Sequence, residues 1–405
     1  MYTVDELFKN YATALNRTLK FKMELLDSTL YSSNFNNVTI EDIICKDELQ
    51  LGTTMSSILE FETRTVSSIN AGDSIKPYMA FTDDNGENIS EWLPLGVFYV
   101  DTKPEARGVQ KYTCYDMMNR IDRTYTSTLV YPASMQDILN EIMQRIGTES
   151  DFECNSDFIV STKPADYTYK QVLGFIASSH GGCAKFNKDG KFTVTDFTAP
   201  TDIIPKKNYT DQTVETDPFT IAQINMIVRD DFSLTRGQGE SSNTISVINP
   251  LANDVIIDYV YNKLNGLKYY AMTLNMRGLP YLETGDYIEV ADCVDDSNSF
   301  KVINMRNKIS FDGGLSCTIE SFVRSKDDSE SPDTSDMEKI ITGMWHAPNY
   351  VYNSSFGRFD ENLRPDYWDT DGVVSKAYSC FGDYSLYLTE GQHCYQKALV
   401  GNELL

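Results

Sequence analysis

The stretch EWLPLGVFYVDTKPEARGVQKYTCYDMMNRID, Glu91 to Asp122, decides how the rest of the chain is read. Apolar and aromatic residues alternate through Leu95, Val97 and Tyr99 and again through Tyr112 and Cys114, the period-two pattern of two half-buried strands. Between them Lys103 to Gly108 is polar and contains a proline, as turn material does. Tyr115-Asp116-Met117-Met118 then opens a helical segment, so a boundary between strand-rich and helix-rich sequence is expected close behind it.

Upstream, Thr3 and Glu6 form a capping-box pattern, and Val4, Leu7, Phe8, Tyr11 and Leu15 share one face of a short predicted helix. Alternation through Leu19, Phe21, Met23 and Leu25, with Lys20, Lys22 and Glu24 between, predicts a half-buried strand. Further strands are expected at Val38 to Ile44 and Ser57 to Thr63, and Asn85-Gly86 is a hairpin signal. Residues 1–125 therefore form a strand-rich domain.

Residues 126–208 read as a small α+β domain. Ser134 caps a helix bearing Ile138, Leu139, Ile142, Met143 and Ile146 that closes at Gly147. Thr168 and Gln171 cap a second, carrying Val172, Leu173, Ile176 and Ala177 up to Gly181-Gly182. A hairpin about Asn187-Lys188-Asp189-Gly190 follows. Strands return over 209–324, with one helix from Asp254 to Leu264 after Asn249-Pro250 and with turns at Gly285-Asp286 and Gly313-Gly314. Ser325 to Asp336 is acidic and free of apolar residues, so 325–344 is a linker to a further segment, 345–405.

Thirty-five Lys plus Arg stand against 59 Asp plus Glu, a net charge of −24, and no basic patch is available to hold phosphates in sequence-specific nucleic-acid binding. The N-terminus MYTVDELFKN lacks the basic and apolar blocks of a signal peptide, and no run is long and apolar enough to span a membrane, so synthesis in a cytoplasm is expected. Eight cysteines are scattered without CxxC spacing and read mostly as reduced core thiols.

Catalytic constellations are not expected. His180 lies near Cys183, but at a helix end an imidazole more simply caps the helix. His346 and His393 lack metal-ligand spacing, and neither a GxSxG elbow nor a P-loop occurs. The neighbouring acids Asp83-Asp84 and Asp295-Asp296 read as solvated loops. Asp366, Asp369 and Asp371, before Gly372, are the best calcium candidate but miss the EF-hand spacing, so no metal and no cofactor is assigned. Tyr367 and Trp368 are the candidate carbohydrate-binding residues, since aromatic faces stack on sugars; the competing expectation is that Trp368 packs in a core.

LPLGVFYV at Leu93 to Val100, YDMMNRID at Tyr115 to Asp122, YTYKQVLGFIASSHGG at Tyr167 to Gly182 with the DGK turn behind it, and GLPYLETGDYIEV at Gly278 to Val290 together resemble the tail hub proteins of phages and tailocins of Gram-positive bacteria. Asn353-Ser354-Ser355-Phe356, Tyr367-Trp368 and Ser385 to Leu388 resemble the first strands of a galactose-binding jelly roll. The resemblance implies a mainly β, multidomain protein: two β-barrel-like hub domains, 1–125 and 209–324, flank the α+β domain 126–208, followed by the linker and a partial jelly-roll-like module. It implies a structural, non-enzymatic virion protein of the tail tip or baseplate. Such a protein would form a homotrimer, close the tail tube, contact the distal tail protein ring and the tape-measure protein, and reach cell-wall glycan through its C-terminal module in host attachment. The alternatives are a tail-associated peptidoglycan hydrolase with its catalytic domain outside this chain, and a receptor-binding adhesin acting through the C-terminal module.

Overall fold

The computed structural model describes residues 1–323 except 15, 65–68, 84–87, 102–107, 199, 230, 296 and 313, and beyond them only the backbone of six short strands. The chain divides into two compact units, Met1–Ser331 and Pro332–Leu405. In the second unit, Asp369–Thr370 pairs with Cys394–Tyr395, Val373–Ser375 with Ser385–Tyr387, and Leu399–Val400 with Glu403–Leu404, all antiparallel. Tyr367, Trp368, Asp366, Asp371, the linker, the Asn85-Gly86 turn and Lys103 to Arg107 lie outside the described residues.

The first unit is mainly β and is built on a twelve-stranded antiparallel sheet. From one edge the strands run Tyr209–Val214, Met272–Met276, Leu315–Ser321, Arg306–Phe311, Phe35–Ile43, Ile58–Arg64, Val109–Tyr115, Phe98–Val100, Ser74–Thr82, Thr18–Glu24 and Thr29–Tyr31, with Leu93–Pro94 also on Ser74–Thr82. Alternation fixes which face is buried. In Thr18–Glu24, Phe21 and Met23 point into the core while Lys20 is exposed and Lys22 half-buried. The two strand-rich stretches of sequence are hydrogen-bonded partners, because Phe35–Ile43 pairs with Arg306–Phe311, from Val38 opposite Phe311 to Ile43 opposite Arg306. They also share one core. Phe21 packs edge-on against Phe35 at 5.5 Å between ring centroids and is stacked on Phe311 at 5.5 Å.

Five helices are described: α1 (Glu6–Thr13), α2 (Met117–Arg120), α3 (Met135–Ile146), α4 (Tyr169–Ser179) and α5 (Asp254–Leu264). Helix α1 is capped by Asp5, not Thr3, its carboxylate accepting from Phe8 N at 2.6 Å. A carboxylate there also complements the positive helix N-terminus. Helix α3 begins at its Ser134 cap and ends on left-handed Gly147, and α4 carries the complete Thr168–Gln171 capping box. These two helices and the hairpin Ala184–Phe186 with Phe192–Val194 form the α+β portion. Its buried side chains, among them Ile138, Leu139, Ile142, Leu173 and Ile176, lie apart from the core of the large sheet. Helix α5 packs on a small sheet in which Gln223–Arg229 is flanked by antiparallel Phe232–Gly237 and parallel Thr244–Ile248, the last ending directly before Asn249-Pro250.

Candidate functional site

Among the described residues, a polar junction forms where the two strand-rich stretches meet the α+β hairpin, with Lys185 buried and Asp42 half-buried. Asp42, near the end of Phe35–Ile43, accepts hydrogen bonds from Lys185 Nζ at 2.8 Å, Thr284 Oγ1 at 2.5 Å and Ser57 Oγ at 2.8 Å. Lys185 comes from the hairpin strand Ala184–Phe186 and is 5% exposed; it donates as well to Thr284 Oγ1 at 2.7 Å. Burial raises the Asp42 carboxyl, but the Lys185 charge and these donors outweigh it and hold the pKa below the ordinary value. Lys185 shows the converse: burial lowers it, the Asp42 charge outweighs burial, and it stays protonated. With Lys185 buried and the Asp42 side chain 21% exposed, the ion pair is stable because every partner is supplied, one from each portion of the fold.

The motif Tyr115 to Met118 sits beside this junction. Asp116 caps α2 by accepting from Met118 N at 3.0 Å, accepts from Ser56 Oγ at 2.6 Å, and its own N–H donates to Ser57 O at 3.1 Å. Its second carboxylate oxygen is buried without a hydrogen-bond partner. Burial accordingly pushes this carboxyl up to about 6.

The LPLGVFYV motif and the DGK turn meet at Val97 and Gly190. Gly190 has φ +79°, and a Cβ there would stand 2.6 Å from Val97 Cγ2, so the turn needs glycine both for its backbone and for the contact. Tyr2 OH donates to the neighbouring Asp189 at 3.0 Å. A second close approach joins α4 to the loop after Phe35–Ile43: a Cβ on Gly174 would lie 2.5 Å from Gly52 O, and Gly52 N donates to Gly182 O at 2.8 Å.

His180 is the C-cap of α4, as expected, but it is uncharged. Its Nδ1–H donates to Ile176 O at 2.8 Å and its Nε2 accepts from Asn155 N at 2.9 Å. Burial against Phe152 and Phe158 lowers its pKa to about 4. With both nitrogens spent, it has neither a lone pair nor a proton for a nucleophile. Cys183 turns elsewhere, its thiol donating to Gln50 O at 3.1 Å. Asp83 and Asp295 bind loop partners, Asn88 Nδ2 at 2.7 Å and Ser297 Oγ at 2.7 Å. Among the described residues no group of three or more His, Cys, Asp or Glu side chains is placed to hold a metal, and no helix is long and apolar enough to cross a membrane. His346, His393, Asp84 and Asp296 lie outside the described residues.

The Asp42–Lys185–Thr284 junction was not anticipated from sequence. Its signal is present, charged residues inside each of the largely apolar runs VTIEDII (Glu41 and Asp42) and CAKF (Lys185), but 143 residues separate the pair.

The fold, a large antiparallel sheet interrupted by a helical portion and closed by a shared core, has counterparts among solved structures. The crystal structure of the tail protein from Neisseria meningitidis MC58 matches with a TM-score of 0.50 at 11% identity, covering 75% of this chain and 96% of that one. The prophage MuSo2 43 kDa tail protein from Shewanella oneidensis matches over 75% of this chain and 98% of its own, with a TM-score of 0.47 at 10% identity. No protein-family model and no curated protein sequence matches the chain.

Proposed function

We propose that this chain is a structural hub protein of a phage or tailocin tail, carried in the virion at the tail tip or baseplate. The observation that carries the reading is the fold shared with the Neisseria tail protein over 96% of that protein's length. The motifs that resemble tail hubs support it. YDMM and the GD turn lie beside the Asp42–Lys185 junction, LPLGVFYV meets the DGK turn at Gly190, and the helix that ends in Gly181-Gly182 is hydrogen-bonded to Gly52, contacts that suit a protein whose work is to hold its parts rigidly.

In this reading residues 1–125 and 209–324 act as the two barrel-like hub domains, with 126–208 between them. Three copies form a ring that closes the tube, beneath the distal tail ring and against the tape-measure protein. Each copy carries a net charge of −24, so such a ring repels nucleic-acid phosphates and lets the genome pass without attachment. The C-terminal segment carries the proposed carbohydrate platform at Tyr367 and Trp368, which Trp368→Ala should abolish on a glycan array. Light scattering after size exclusion tests the ring: a mass three times 45.9 kDa is expected, alone or with the distal tail partner. A monomer that persists with the partner bound would overturn it.

A further inference from the structure

We propose that Cys45 and Cys183 form a dithiol that closes to a disulfide when the protein meets oxidising conditions, fastening the α+β portion covalently to the large sheet. The inference is independent of the tail reading. It rests on where the two sulfurs lie. Cys45 follows the strand Phe35–Ile43, and Cys183 directly precedes Ala184–Phe186. Both sulfurs converge on one carbonyl oxygen, that of Gln50, at 3.6 Å from Cys45 Sγ and 3.1 Å from Cys183 Sγ. The backbones on either side are held together by Gly52 N to Gly182 O at 2.8 Å and Ala184 N to Thr53 O at 2.9 Å. Both cysteines are free and buried, with about 1% exposure or less. The neighbouring Cys183 thiol and burial raise the Cys45 pKa well above its ordinary value, whereas Cys183, buried but supported by Cys45 and Thr53, is lowered. The thiol pool of a reducing cytoplasm keeps the pair reduced, and because the thiolate is the nucleophile the oxidation runs faster as pH rises.

The co-reactant is a low-molecular-weight disulfide such as oxidised glutathione. One cysteine thiolate attacks a sulfur of that disulfide and releases one small thiolate. The second cysteine then attacks the protein sulfur of the mixed disulfide, forming the Cys45–Cys183 bond and releasing the other small thiolate. The protein loses two protons and two electrons, and the small disulfide leaves as two thiols. The new bond closes a loop of roughly 140 residues in the unfolded chain, which lowers unfolded-state entropy.

The test treats the reduced full-length chain with oxidised glutathione at pH 7 and pH 9, alkylates the remaining thiols, and maps peptides by mass spectrometry beside a thermal melt. The expected result is one cross-linked peptide pair carrying Cys45 and Cys183, formed faster at pH 9. A Tm rise of roughly 5 °C, reversed by dithiothreitol, should accompany it. Cys45→Ser should remove both the cross-link and the rise, and if that variant does not fold, the wild-type peptide map alone decides. Glutathione carried separately on the two cysteines, full alkylation of both, or a cross-link without a rise in Tm would overturn the proposal.

Discussion

Buried Lys185 is tolerable in the interior because the half-buried Asp42 carboxylate pairs with it. Replacing Lys185 by Met leaves the Asp42 carboxylate with two hydroxyl donors and no cation, and the expected loss is about 3–5 kcal/mol in urea unfolding. The double variant Asp42→Asn, Lys185→Met should recover part of that loss, and a double variant no better than the single would show that the two side chains act independently. Two other buried groups oppose each other in mild acid. Folded Asp116 holds its proton up to about pH 6, whereas an unfolded Asp releases it near about 4, so Asp116 makes stability fall as pH rises through that window. Folded His180 takes a proton only near about pH 4, against about 6.5 unfolded, so its contribution is lost as pH falls through the same range. Each effect is on the order of 2 kcal/mol. On acidification from pH 7 to 4.5, Asp116→Asn should lose more stability than the parent and His180→Gln less. Identical pH profiles for all three proteins would refute the opposition.

At the scale of elements, most boundaries were legible because their signals are local. The Ser134 cap, the Gly147 stop, the Thr168–Gln171 box and the helix ending at Leu264 all depend on residues within a few positions of one another. Thr3 was legible as a cap only in pattern; Asp5, two residues on, takes the position. Gly174 shows what local signals leave out. In an exposed helix, replacing such a glycine by Ala should stabilise by about 1 kcal/mol. Here the added methyl would meet Gly52 O at 2.5 Å, backbone against which α4 is fixed, so Gly174→Ala is expected to destabilise by about 2 kcal/mol or more. A thermal melt settles the sign, and a higher Tm for the variant would show that α4 is free to move away from the loop.

On the scale of the whole molecule, the mainly β class with an α+β portion could be read from periodicity and turns, whereas the joining of the two strand-rich stretches into one sheet could not. The pairing of Val38 with Phe311 and of Ile43 with Arg306 depends on contacts far apart in sequence, for which alternation specifies a buried face but not a partner. The same limit hid the junction: Asp42, Lys185 and Thr284 each look ordinary alone, and only the fold brings them within hydrogen-bond distance. Within the first unit, both strand-rich stretches and the α+β portion are fastened at that junction, as the proposed structural part of a tail would require. The most direct measurement is gold labelling, with antibody raised against this chain, of tailed particles purified from the cells that make it. Gold is expected at the end of the tail away from the capsid, on most particles. Particles that contain none of the chain, or that carry it on the capsid, would contradict it.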